Sequence, residues 1–317
     1  MARDRVVVIG AGMMGSGIAA MAALAGHKVT LVDVSEAAAA RGLEKARSCI
    51  SLRLENELAT PLEAETAAAS LSTSVETEQA VGEAFMVIEA IVENLSAKQA
   101  LFRQLDQWLP EEVPICSNTS GLRITDISAL CACHPERTVT THFWLPAHLV
   151  PLVEVVMGDK TEESVAVRVR DELKRWKKSP VLVRRDLPGQ LANRVFQAII
   201  RESIDIVASG LASAEDVDTA IAAGMAMRFP VWGPLMHLDA IGTDLGMSVQ
   251  ETVLPNICAE KQANPFIRDM VNRGDLGAKT GKGFYDWQER SIEEAMARRD
   301  AFIIEACKVL NKLNNRA

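Results

Sequence analysis

The stretch from Arg5 to Asp33 constrains the fold of this chain more than any other. Arg5-Val6-Val7-Val8-Ile9 is apolar at consecutive positions, as expected of a strand buried on both faces of a parallel sheet. It runs into Gly10-Ala11-Gly12-Met13-Met14-Gly15, a Gly-x-Gly-x-x-Gly turn, then a helical stretch, then a second apolar run, Val29 to Val32, closed by Asp33. In such a turn the first glycine permits the tight bend, the second lets backbone approach a pyrophosphate, and the third lets the helix pack close to the strand. The residues Gly10, Ala11, Gly12, Met13, Met14 and Gly15 are therefore expected to cradle phosphates with the N–H groups of the helix N-terminus. Gly26 stands where a C-terminal cap is wanted, so the helix is expected to end near Ala25. A carboxylate about 20 residues beyond the turn accepts bonds from adenosine ribose hydroxyls and repels a 2′-phosphate. Asp33 fills that place, and Val34-Ser35 offers no compensating arginine, so the motif predicts NAD rather than NADP.

With 317 residues the chain has material for two domains, each with its own core. The net charge of −8 and the lack of a basic stripe argue against a nucleic-acid partner. No apolar run reaches the roughly 18 residues needed to span a bilayer. A first strand beginning by Arg5 leaves no room for a signal peptide, which points to the cytoplasm. The six cysteines are scattered, as suits a reducing compartment. Cys131-Ala132-Cys133-His134 has no second ligand pair at finger or ribbon spacing, so it reads as a loop and no metal is expected.

Short apolar runs at Phe85–Glu89, Val113–Cys116, Val139–His142, Leu152–Val156 and Val181–Val183 alternate with helix-like stretches. This predicts a doubly wound α/β domain with a Rossmann-type parallel sheet, residues 1–186. Ser96-Ala97-Lys98-Gln99 fits a capping box opening one of its helices, and residues 37 to 40 are four alanines on another. From Arg184-Arg185-Asp186-Leu187-Pro188-Gly189 onward the pattern is helical, giving an all-helical C-terminal domain, residues 187–317. Leu191, Val195, Ile199 and Ile206 recur at helical spacing up to Gly210, and Ser213-Ala214-Glu215-Asp216 opens the next helix. That helix is expected to carry the small residues Ala220, Ala222, Ala223 and Gly224. Such a helical companion is expected to form a homodimer.

Ligands of open parallel sheets bind outside the carboxyl ends of the strands. Ser117-Asn118-Thr119-Ser120 and His142 both follow predicted strands. Glu154 instead lies inside Leu152-Val153-Glu154-Val155-Val156, where an unpartnered carboxylate costs several kcal/mol. Its natural partner is a histidine whose ring it orients and whose protonated form it stabilises. A histidine base with a carboxylate behind it, beside a nicotinamide, is what alcohol oxidation requires.

On these and further blocks the chain resembles the 3-hydroxyacyl-CoA dehydrogenase family, including free-acid members such as L-gulonate 3-dehydrogenase (lambda-crystallin) and carnitine dehydrogenase. The blocks are Val92-Glu93-Asn94-Leu95 with Lys98, Ser117 to Ser120, His142-Phe143 with Pro146, Pro151-Leu152-Val153-Glu154, Pro188-Gly189 with Asn193-Arg194, Gly233-Pro234, and Lys279-Thr280-Gly281-Lys282-Gly283-Phe284-Tyr285. The resemblance implies that His142 is the general base, oriented by Glu154. It implies that Ser120 and Asn193 hold the reacting oxygen, and that Glu93, Lys98, Ser120 and Lys279 contact NAD.

Two departures bear on the substrate. Residues 35 to 75 carry Arg41, Lys45, Arg47 and Arg53 against Glu36, Glu44, Glu55, Glu57, Glu63 and Glu65, a balance that repels a polyphosphate, whereas acyl-CoA members usually carry lysines there. Leu145 stands where the family commonly has asparagine. The expected substrate is a small 3-hydroxy acid without coenzyme A, its carboxylate met by Arg228, with Trp144 and His148 lining the pocket. Short-chain 3-hydroxyacyl thioesters are the alternative substrates, and a non-catalytic NAD-binding protein of the lambda-crystallin kind is the alternative role.

Overall fold

The computed structural model describes residues 4–314. Its sheet is built from β1 (Arg5–Ile9), β2 (Lys28–Val32), β3 (Leu71–Ser74), β4 (Ala84–Glu89), β5 (Ile115–Ser117), β6 (Thr138–Phe143), β7 (Leu152–Met157) and β8 (Ser179–Val183). The eight strands lie in the order β3-β2-β1-β4-β5-β6-β7-β8, so the chain winds outward from β1 in one direction and then from β4 in the other. Alternate residues of β1 serve opposite cores. Val6 and Val8 pack with Ile18, Ala19 and Leu31, whereas Val7 and Ile9 pack with Val32, Phe102 and Ile115. That two-sided burial is why the run is apolar without alternation.

The apolar runs carry no direction, and here the structure adds to the expected parallel sheet. β6 and β7 pair antiparallel, β7 and β8 pair parallel, and the remaining neighbours are parallel. β3 escapes sequence reading because Leu71 is its only buried residue.

The helices flanking the sheet include α1 (Met13–Leu24), α2 (Glu36–Glu55), α3 (Pro61–Ser70), α4 (Thr77–Val81), α5 (Leu95–Trp108), α6 (Ile124–Ile127) and α7 (Glu163–Arg175). α1 ends as expected, with Ala25 at its cap and Gly26 at φ +97°. The capping box expected at Ser96 is a correction: Asn94 caps α5, its side chain accepting the Ala97 N–H, while the Ser96 hydroxyl donates to Asn94 Oδ1. Asparagine outcompetes serine here because it sits one residue before the first helical position.

The chain divides into two compact units. The first holds the described residues up to Leu191 together with Ile303–Val309; the second holds Ala192–Phe302 and Leu310 onward. The segment after β8 stays with the sheet through specific bonds. Asp186 accepts the Thr125 N–H, Gln190 Nε2 donates to the Thr119 carbonyl, and the Leu191 N–H donates to Glu154. In the same unit Ile304 packs with Leu58 and Leu149.

The second unit contains α8 (Ala192–Ala208), α9 (Ala214–Ala220), α10 (Pro234–Ile241), α11 (Thr243–Val253), α12 (Pro265–Arg273) and most of α13 (Ile292–Asn314). After α8, Gly210 takes φ +74°, and Ser213 caps α9 by accepting the Asp216 N–H, both as expected. Of the small residues, Ala220 ends α9, and Ala222, Ala223 and Gly224 fall in a π-helical turn, Ile221–Met225. Among the described residues no helix is long and apolar enough to cross a membrane.

Candidate active site

The turn after β1 is built by contact distances that leave no room for side chains. Gly10 takes φ +100°, and a Cβ there would stand 2.5 Å from the Ala90 carbonyl oxygen. A Cβ on Gly15 would stand 1.8 Å from the Gly10 oxygen, so strand and helix touch through bare backbone. Gly12 differs, since a Cβ there meets nothing within 4 Å. It is the N-cap of α1 with no side chain bonded to the helix end, and the first turn carries no acid. Open space in front of unpaired N–H groups, with positive helix-end charge behind them, suits an anion. Asp33 directly follows β2, where its Oδ2 accepts the Ala11 N–H at 2.8 Å and its Oδ1 accepts the Val34 N–H at 2.7 Å. These residues fit a dinucleotide, with phosphates at the α1 end and a ribose at Asp33.

A second cluster sits at the carboxyl ends of β4 and β5. Glu89, at the end of β4, is fully buried and accepts from Lys98 Nζ and Ser117 Oγ, each at 2.6 Å, and from the Ile91 N–H at 2.7 Å. Lys98 on α5 is only 1% exposed, and its ammonium also lies 3.3 Å from Glu93. Glu93 accepts from the Thr119 hydroxyl at 2.5 Å and from the Ser120 and Gly121 N–H groups at 3.1 Å. Burial works to raise the Glu93 carboxyl, but the bonds from Thr119 and Gly121 and the charge of Lys98 outweigh it and hold it below the ordinary carboxylate range. Glu93 thus fastens the Thr119-Ser120-Gly121 turn and leaves Ser120 exposed.

His142 and Glu154 form the third element. They are opposite one another in the β6–β7 register, and His142 Nδ1 lies 2.8 Å from Glu154 Oε2. His142 is 7% exposed and Glu154 is fully buried. The same Oε2 accepts the indole N–H of Trp144 at 3.0 Å, and Oε1 accepts the Leu191 N–H at 2.8 Å. With Nδ1 engaged, Nε2 is the nitrogen left to exchange a proton. Asn118 Oδ1 accepts the Phe143 N–H and ties the end of β6 to the turn beyond β5.

The loop from β6 to β7 is held from beneath by two buried cations. Lys178 Nζ donates to the Ala147 and Val150 carbonyls at 2.5 and 2.8 Å, and Arg53 Nη1 donates to the His148 carbonyl at 2.6 Å. Burial, helped by the neighbouring Arg53 charge, pushes the Lys178 ammonium down to about 7.

The first unit therefore sets Gly10 to Gly15, Asp33, Glu93, Ser120, His142 and Trp144 at or just beyond the carboxyl ends of its parallel strands, with Lys98 reaching in from α5 and Glu154 from the amino half of antiparallel β7. His148 backs onto α1, its Nδ1 3.6 Å from where a Cβ on Gly17 would stand. Leu145 is 46% exposed on the loop. Asn193 lies in the first turn of α8, and Lys279 and Arg228 lie exposed in turns, all three in the second unit. Sequence reasoning missed Glu89, the backbone donor of Leu191 and the pair Lys178 and Arg53. A carboxylate closing the apolar run Met86-Val87-Ile88-Glu89 was a readable signal for the first; backbone donors leave none. In the Cys131–His134 loop, Asp106 accepts the Cys133 and His134 N–H groups, and burial pushes the Cys131 thiol up to about 12.

Comparison with known proteins shows the family. The family model described as 3-hydroxyacyl-CoA dehydrogenase, NAD binding domain, matches residues 5–187, and that of the 3-hydroxyacyl-CoA dehydrogenase C-terminal domain matches residues 189–287. A 5-formyl-3-hydroxy-2-methylpyridine 4-carboxylate 5-dehydrogenase of Mesorhizobium japonicum is 31% identical over 308 residues, covering 96% of this chain and 97% of that one. A probable 3-hydroxybutyryl-CoA dehydrogenase of Bacillus subtilis is 38% identical over 288 residues, covering 90% and 98%. A crystal structure of a dehydrogenase of the first kind, described as an NAD+-dependent dismutase, superposes with a TM-score of 0.87 at 29% identity over 98% of this chain and 99% of that one. The chain belongs to the 3-hydroxyacyl-CoA dehydrogenase family and is an NAD-dependent oxidoreductase acting on a CH–OH group.

Proposed function

We propose that the protein interconverts a small free hydroxy acid and its oxo form, without coenzyme A, and that His142 and Glu154 are its acid–base pair. The observation that carries the acid–base assignment is the 2.8 Å bond from His142 Nδ1 to a fully buried carboxylate. In the oxidative direction His142 Nε2 takes the hydroxyl proton, and Glu154 balances the imidazolium so formed. NAD, when bound, supplies the two-electron acceptor. In this reading Ser120 and Asn193 hold the reacting oxygen, Glu93 and Lys279 bind the cofactor, and Lys98 serves it through Glu93.

The free-acid reading rests on charge. Of the four basic residues between 35 and 75, Arg53 is buried and bonded to loop carbonyls, so it cannot face a ligand phosphate. Arg41, Lys45 and Arg47 remain exposed on α2, among Glu36, Glu44 and Glu55 of the same helix. That helix is a poor partner for a phosphorylated adenosine. The name of the Mesorhizobium relative supports a carboxylate-bearing ring as one substrate type. Arg228, exposed beside Phe229-Pro230, is the proposed partner of that carboxylate.

The Bacillus relative favours a second reading, a short-chain 3-hydroxyacyl-CoA substrate. NADH formation by the purified protein against 3-hydroxy acids, sugar acids, carnitine, pyridine alcohols and 3-hydroxybutyryl-CoA separates the two. Turnover of a free acid is the expected result. Turnover confined to the thioester would overturn the free-acid reading and leave the acid–base pair standing.

The same proposal includes a cytoplasmic homodimer formed through the helical unit. Phe229, Trp232, Leu235, Met236 and Met247 of that unit are exposed, and Val195, Ile199, Ile206, Val217 and Ile221 line an apolar groove. The cysteines at 49, 116, 131, 133, 258 and 307 are all unpaired. Light scattering on the purified protein tests the dimer.

A further inference from the structure

A histidine base needs a carboxylate behind it, but nothing in that requirement calls for an indole on the same oxygen. Trp144 lies two residues beyond His142, and its Nε1 sits 3.0 Å from Glu154 Oε2, the atom that also receives His142 Nδ1 at 2.8 Å. The two rings are 5.9 Å apart between centroids and tilted by 52°, so both reach one oxygen from different sides. The sequence reading placed Trp144 in the substrate pocket, whereas its polar end is turned to Glu154.

We propose that Trp144 is a positioning residue that acts through Glu154 to set the pH range over which His142 works. The inference rests on the assignment of His142 and Glu154 as the acid–base pair. An N–H bonded to an ionised carboxylate draws charge from the oxygen it touches and stabilises the ionised form. Part of the charge on Oε2 is thereby held by Trp144 and is withheld from the His142 ring. The indole also fixes the carboxylate plane, so the imidazole is presented in one orientation.

Removing the indole N–H acts with one sign. If the pair's proton resides on His142, Glu154 then holds it more tightly; if it resides on Glu154, the carboxylate has lost a bond to its ionised form. Either way the pair takes up its proton at higher pH, and for coupled groups that is the quantity a rate profile reports. Several ionisable groups near this stretch bond to other partners. Lys178, just before β8, donates to the Ala147 and Val150 carbonyls. Asp186, after β8, accepts the Thr125 N–H and faces Arg123. Glu89, Glu93 and Lys98 face one another beyond β5.

The test is the pH profile of kcat/KM for Trp144→Phe at saturating NAD, using the substrate found in the panel above. The acidic limb is expected to move up by about one pH unit, the size of one hydrogen bond to a charged group. The shift is expected to vanish in the Glu154→Gln background, as it must if it passes through that carboxylate. A variant that loses turnover equally at all pH values, with its limb unmoved, would reduce Trp144 to packing and overturn the proposal. An independent reading comes from the Trp144 indole N–H resonance in 15N-labelled protein, which is expected to move in Glu154→Gln. A resonance that stays in place overturns the proposal even if Trp144→Phe does not fold. Wild-type turnover in His142→Gln would instead remove the acid–base assignment on which the inference stands.

Discussion

His142 and Glu154, 12 residues apart in the chain, are direct partners in the register of β6 and β7, the antiparallel step of the sheet. A parallel pairing needs a crossover of a dozen or more residues, whereas an antiparallel return lets a short loop bring base and carboxylate face to face. Directly opposed residues in such a pair have Cβ atoms about 5 Å apart, the reach of one histidine-to-carboxylate bond.

His142→Gln is expected to lower turnover by about 10² to 10⁴, the span of general acid–base catalysis, with NADH affinity nearly unchanged. Steady-state rates and NADH fluorescence titration check the two halves separately. NADH binding lost along with turnover would place His142 in the cofactor site instead.

Gly12 and Gly15 are expected to fail in different ways. Gly12→Ala places its Cβ where no protein atom stands within 4 Å, so the fold is expected to keep its melting temperature while NAD affinity falls by more than tenfold. Gly15→Ala forces a methyl into the Gly10 carbonyl, and overpacking of this kind costs about 1–3 kcal/mol or more. Thermal unfolding with and without NAD distinguishes them.

Asp33→Ala is expected to narrow the preference for NAD over NADP, because the charge that repels a 2′-phosphate is gone. It also frees the Ala11 and Val34 N–H groups that Asp33 accepts, so weaker NAD binding is expected alongside. Ratios of kcat/KM for the two cofactors measure this, and an unchanged ratio would count against the ribose assignment.

Lys178 makes stability depend on pH. Its folded value of about 7 lies below its ordinary 10.5, so between those values the unfolded chain holds a proton that the folded chain has released. Stability from this group therefore rises with pH from about 7 to about 10.5, and below 7 the full cost of the buried charge remains. Lys178→Met removes that dependence. The difference in unfolding free energy between wild type and variant is expected to change by a few kcal/mol between pH 6 and pH 10, roughly the linkage span. Urea melts across that range test it; parallel curves would contradict a buried titrating lysine.

The sequence by itself determined the local units, because each rests on contacts between near neighbours in the chain. The buried strand before Gly10, the glycine turn, α1 with its end at Gly26, and Asp33 at the close of β2 were all readable from spacing and residue type. Glu154 needs a partner on sequence grounds, because a carboxylate inside Leu152-Val153-Glu154-Val155-Val156 cannot stand alone. Tertiary structure decided what local pattern does not carry. Strand direction is one such feature, since an apolar run reads the same parallel or antiparallel, and that direction sets His142 against Glu154. Another is the use made of Trp144, Leu191, Arg53 and Lys178, whose partners lie on other segments of the chain. Spacing reports which face a residue takes; only the packed fold supplies the atom it meets there.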